Sequence, residues 1–186
     1  LPATRAHYVI KRDFWSFFER TFRVFADDGR LVMLIRRPLF RLREEFVVHG
    51  DAARQQPLLR LRARQVVAFN FAYEISDAAS GAVLGAVQKR GLASLVRDRF
   101  ILFGPDGAEV GHAEELGASL LRRFIPLLPS HHGVFVDGQQ VASVDQRFRL
   151  FGKEFSVDLV PARLDPRFVL AVALLAVMAE SRREDN

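Results

Sequence analysis

The feature that most restricts this chain is the run Phe168 to Ala179, twelve consecutive apolar residues with no polar face. A helix that is apolar all round must be covered all round. From Asp165 to Glu180 such a helix is roughly 24 Å long at about 1.5 Å per residue. Its apolar stretch falls short of the ~20 residues that cross a bilayer. The run therefore reads as a buried core helix, with a membrane span as the alternative. Asp165 is placed to cap the free N–H groups, and Pro166 suits the first helical position, where it has no hydrogen bond to lose. Ser181-Arg182-Arg183 returns the chain to water with cations near the negative end of the helix dipole. The preceding residues must supply the enclosure.

Those residues repeat a short rhythm of alternation followed by a turn signal. Strands are predicted at His7 to Arg12, Thr21 to Ala26, Leu31 to Arg36, Phe46 to His49, Leu58 to Arg64, Phe71 to Ser76, Val83 to Arg90, Arg99 to Phe103, Ala108 to Ala113, Gly133 to Asp137, Gln140 to Phe148 and Lys153 to Val160. Asp28-Gly29, Asp77 to Gly81, Gly104-Pro105-Asp106-Gly107 and Asp137-Gly138 are the hairpin turns. Pro38 to Leu42 reads as a break. Between Ala118 and Ile125 the period lengthens to about 3.6, which predicts a short helix closed by Pro126 and Pro129. The cluster Phe14, Trp15, Phe17 and Phe18 is dense enough to plug one end of a core, or to anchor at a membrane interface beside Lys11 and Arg12.

About twelve strands must either split into two layers or close, and closure removes exposed edges. Twelve strands at ~4.8 Å spacing and a tilt near 40° make a barrel over 20 Å across, too wide for wall side chains alone to fill. A helix of ~10 Å diameter fills the remainder. The expected fold is mainly β, a single domain over residues 1–186: a closed twelve-stranded antiparallel barrel around a central C-terminal helix.

With no Cys in the chain, disulfide scaffolds, thiolate zinc sites and Cys nucleophiles are excluded. Leu1 to Arg5 lacks the charged start and apolar stretch of a signal peptide. No Ser stands in a G-x-S-x-G elbow. There is no H-E-x-x-H, no phosphate-cradling Gly-rich loop and no EF-hand loop. His112-Ala113-Glu114 matches half of a zinc deaminase motif whose thiolate half cannot exist here. His131 and His132 read as neighbouring loop histidines in contact with water, and His7, His49 and His112 as isolated structural or surface groups. The chain carries no catalytic constellation, and the expectation is a non-enzymatic protein without cofactor or metal.

The order of elements, with its Asp-Gly hairpins and the terminal Asp165-Pro166-Arg167-Phe168-Val169-Leu170-Ala171-Val172, resembles the tubby C-terminal-like superfamily. Within it, the chain is most similar to the LURP-one-related proteins, which share the superfamily with the phospholipid scramblases. The resemblance covers nearly the whole chain. It implies a twelve-stranded barrel around a hydrophobic helix and, from tubby proteins, phosphoinositide recognition by basic surface residues. Scramblases are proposed to carry an acidic calcium loop before the terminal helix. Ser156 to Leu164 offers only Asp158 before Asp165, which argues against calcium dependence.

The net charge of +5 and pI near 10.4 favour anionic partners. Three Lys against twenty-four Arg is also the bias of a high-GC, bacterial genome. The candidate binding residues are Arg36, Arg37, Arg60, Arg62, Arg64, Lys89 and Arg90, on or beside strands whose opposite faces are apolar, with Arg41 and Arg43 nearby. Guanidinium groups present donor forks that match phosphate oxygens. The reading is a peripheral lipid-binding or scaffold domain that recognises anionic phospholipid headgroups, monomeric, cytoplasmic and peripheral at the membrane. A nucleic-acid binder and a membrane-inserted scramblase-like protein are the alternatives.

Overall fold

The structure, a computed structural model, describes residues 5–13, 19–38, 45–67, 70–89, 99–116, 130–147 and 152–184. Its elements are β1 (Ala6–Arg12), β2 (Glu19–Ala26), β3 (Leu31–Pro38), β4 (Glu45–His49), β5 (Pro57–Val67), β6 (Asn70–Asp77), β7 (Val83–Lys89), β8 (Arg99–Phe103), β9 (Glu109–Glu115), β10 (His131–Val136), β11 (Gln139–Arg147), β12 (Lys153–Leu159) and α1 (Pro166–Glu184). Each strand is antiparallel to its neighbours in sequence. The ladder from Ala6↔Leu159 to Arg12↔Lys153 joins the first strand to the last and closes the barrel.

Alternation decides which side chains face inward. On β5, Leu59 and Leu61 are buried while Arg60 and Arg62 are exposed, because successive strand residues point to opposite faces. The hairpins joining β2 to β3, β6 to β7, β8 to β9 and β10 to β11 all lie at one end. At Asp137-Gly138 both residues have positive φ, 51° and 77°, as a two-residue hairpin of matching twist requires.

The lumen is filled by α1. Leu170, Leu174 and Val177 are 4%, 1% and 0% exposed, and Phe168 to Met178 is buried without interruption. No helix among the described residues is long and apolar enough to cross a membrane. The enclosed position of α1 overturns its alternative reading as a span. Asp165 caps the helix as expected, its Oδ1 accepting from the Arg167 N–H at 2.8 Å. The helix runs on to Glu184, past the expected end at Glu180, which is itself buried and paired within the barrel.

Strand ends depart modestly from the sequence reading. β5 continues through Val67 past a bulge between Ala63 and Gln65, and β3 continues to Pro38. The aromatic cluster at Phe14, Trp15, Phe17 and Phe18, the predicted helix at 118–125 and residues Leu39 to Leu42 lie outside the described residues.

Packing between helix and wall is tightest where Gly85 of β7 meets Phe168. A Cβ at position 85 would stand 2.6 Å from the Phe168 ring and 2.6 Å from the Phe103 carbonyl oxygen. Backbone cannot retreat as a flexible side chain can, so Gly85→Ala is expected to cost about 1–3 kcal/mol, lowering Tm by roughly 2–12 °C in thermal denaturation. Leu174→Ala, which opens a cavity on the helix, is expected to cost about 2–5 kcal/mol.

Candidate functional site

The sequence-predicted cations separate into two groups according to the face they occupy. Arg36, Arg60 and Arg62 lie on the outer face of β3 and β5, and Arg64 joins them at the β5 bulge, exposed like the rest. Val47↔Arg60 is a register pair, and Leu34↔His49 joins β3 to β4, with Arg36 two residues beyond Leu34 on the same outer face. Arg36 and Arg60 therefore lie on either side of β4, with Arg62 one outward position further along β5.

Carboxylates enter this face from both neighbouring strands. Arg62 has Glu45 of β4 and Glu74 of β6 as its register partners. Arg60 Nη1 donates to Glu45 Oε1 at 3.3 Å, and Arg64 Nη2 donates to Glu74 Oε2. Arg62 makes no ion pair among the described residues. Among the described residues, four guanidinium groups and two carboxylates share this face. Exposed pairs of this kind contribute about 0–1 kcal/mol each, so they hold the side chains loosely.

Lys89 does not join them. Lys89 belongs to the inward phase of β7 with Val87, and its ammonium lies 6.0 Å from the centre of the Phe100 ring. From Gly85 to Lys89 the strand alternates, and Lys89 is paired with buried Phe100, so a lysine two residues from a buried valine turns toward the lumen, and this corrects its placement on the basic face. Arg37 occupies the register position opposite Arg20 on β2, and its side chain, like the whole of Arg90, Arg41 and Arg43, lies outside the described residues.

The histidines correct a second expectation. His131 and His132 are strand residues of β10, and they face opposite sides. His131 Nδ1 pairs with Asp145 on the outside, while His132, 2% exposed, meets Glu180 Oε2 at 3.0 Å inside. Glu115, the β9 register partner of His132, is also buried. His7 pairs with Asp158 at 3.0 Å, and His112 stacks on Phe135. Burial and the Arg54 charge lower the pKa of His49. No cluster suited to a metal ion occurs among the described residues.

At the hairpin end, an acid–base knot ties the helix to the wall. Arg167 Nε and Nη2 donate to Asp165 at 3.1 and 2.8 Å, and Nη1 reaches Asp77 at the end of β6. Asp77 also accepts from the Ser80 N–H at 2.8 Å and the Ser80 hydroxyl at 2.9 Å. The Ser80 bond, then Arg167, holds the Asp77 carboxyl well below its ordinary value. The sequence placed Asp165 and Pro166 but not this link across 90 residues.

A closed twelve-stranded barrel with its C-terminal helix inside places the protein in the tubby C-terminal-like class. The LURP-one-related family model matches residues 6–176, and the chain belongs to that family. A crystal structure of an Arabidopsis thaliana protein superposes with a TM-score of 0.54 at 17% identity, covering 96% of this chain and 93% of that one. At that identity the likeness concerns the fold. No match is found among curated proteins.

A carboxyl with a depressed folded-state pKa stabilises the fold above its unfolded value, and that contribution is lost as pH falls through the folded one. Asp77→Asn is therefore expected to lower Tm at pH 6. The gap between wild type and variant should shrink steadily below about pH 4, the unfolded carboxylate range, when thermal unfolding is followed against pH.

Proposed function

We propose that the protein is a non-enzymatic peripheral lipid-binding or scaffold domain whose outer β3–β6 face receives anionic phospholipid headgroups. The observation that carries this reading is the shared outer face of Arg36, Arg60, Arg62 and Arg64, where Glu45 and Glu74 pair with Arg60 and Arg64 and Arg62 makes no ion pair among the described residues. Guanidinium forks match phosphate oxygens in pairs, and the weak pairs with Glu45 and Glu74 exchange readily for a headgroup. Each cation near an anionic leaflet contributes about 1 kcal/mol. Membership of the LURP-one-related family, a tubby-like lineage, supports the same reading.

Flotation with phosphatidylserine or phosphoinositide vesicles at low and moderate salt tests it. The triple variant Arg36→Gln, Arg60→Gln, Arg62→Gln is expected to bind on the order of a hundredfold more weakly, since three contacts of ~1 kcal/mol are removed, with Tm little changed. Glu45→Gln with Glu74→Gln should bind more tightly. Absence of wild-type flotation with anionic vesicles at low salt would refute the proposal.

A further inference from the structure

The outer wall holds a cavity beside the basic face, and small side chains create it. On β6 to β8 the inward residues include Tyr73, Ile75, Val87 and Leu102, so Ala72, Glu74, Ala86, Gln88, Ile101 and Phe103 point outward. The ladders set these in two rows, Ala72–Gln88–Ile101 and Glu74–Ala86–Phe103. Two of them are alanines, which leaves the sheet bare between Arg64 on one side and Phe103 with the Gly104–Pro105 turn on the other. The resulting cavity measures about 330 Å³. Val83, Ala86, Phe103 and Pro105 give it an apolar lining, Gln88 one amide and Arg64 one guanidinium.

Many apolar groups with a few polar ones is the make-up of a small-molecule site, and the volume lies at the lower end of the usual range of about 300–1,000 Å³. Charge is unequal along the cavity. At its β5 side, Arg64 donates to Glu74, which also has Arg62 as its register partner, and Arg60 donates to Glu45. Among the described residues these three guanidinium groups face two carboxylates. At the opposite side stand Asp106, in the turn after β8, and Glu109, the register partner of Phe103. An elongated occupant with one anionic end and an apolar body is complementary to this gradient, its anion toward β5 and its body toward Phe103.

We propose that this cavity seats part of one chain of a single anionic phospholipid whose phosphate meets Arg62 and Arg64. The glycerol and first methylenes lie over Ala72 and Ala86, against Phe103 and Pro105. This inference rests on the lipid reading of the outer face, with which the cavity is continuous through Arg64. It adds that the face grips one lipid molecule, whereas attraction of cations to a charged leaflet requires no cavity.

The experiment compares two soluble probes by calorimetry at low salt: dihexanoyl phosphatidylserine below its micellar concentration, and glycerophosphoserine, the same headgroup without chains. Flotation on phosphatidylserine vesicles runs beside it. Wild type is expected to bind the chain-bearing probe at least about tenfold more tightly, the effect of burying roughly two methylenes. Ala86→Leu and Ala72→Leu fill the cavity from outward positions on different strands. Both should match wild type in Tm, lose the preference for the chain-bearing probe and still float. Arg62→Gln with Arg64→Gln should weaken the binding of both probes. A wild type that floats yet binds the two probes equally, or folded Leu variants that keep the wild-type preference, would overturn the chain site and leave the outer face standing. A wild type that neither floats nor binds either probe would overturn both.

Discussion

Burial of α1 on every side is the constraint from which the architecture follows. The helix offers water no acceptable face, so its walls must surround it, and antiparallel strands surround a cylinder only by closing. The enclosed cylinder then sets the number of strands, because a narrower barrel fills with its own side chains and leaves no room for a helix. Gly85 shows how fully the space is used: the wall approaches the Phe168 ring so closely that no side chain fits between them.

Enclosure also divides the electrostatics of the molecule. Outward positions on β5 hold loosely matched arginines, paired with glutamates of β4 and β6. Inward positions are apolar along most of the lumen and become polar only at the helix ends. Around the first turn, Asp165 and Asp77 answer the positive end of the dipole while Arg167 ties them together. Around the last turns, inward Arg12, Arg20, Lys89 and Lys153 surround the negative end. A buried histidine and glutamate fix the helix to β10 in the same region.

Much of this was legible from local pattern. The period of two marked every described strand, Asp-Gly pairs marked hairpins, and the unbroken apolar run marked the helix, because each depends on neighbours within a few residues. Arg60, Arg62 and Arg64 were correctly placed outside for the same reason. What escaped notice depends on register and closure. Counting by twos from Ile10, Phe22 and Phe155 would have turned Arg12, Arg20 and Lys153 inward, yet only the closed ladder brings the three strands together. His132 was misplaced because a burying partner, Glu180, lies 48 residues away, and the Asp77–Arg167 link spans a still longer separation.

The barrel closes by pairing its first strand with its last, and the element that fills it comes last of all. During synthesis from the N-terminus, β1 must therefore wait with one edge unpaired while nearly the whole chain emerges, and the wall strands present apolar inner faces to an empty centre. Unpaired edges and exposed apolar faces are the surfaces through which nascent chains associate wrongly. For this protein the hazardous interval ends only when α1 leaves the ribosome, and a chain truncated before Asp165 would lack the centre of its core.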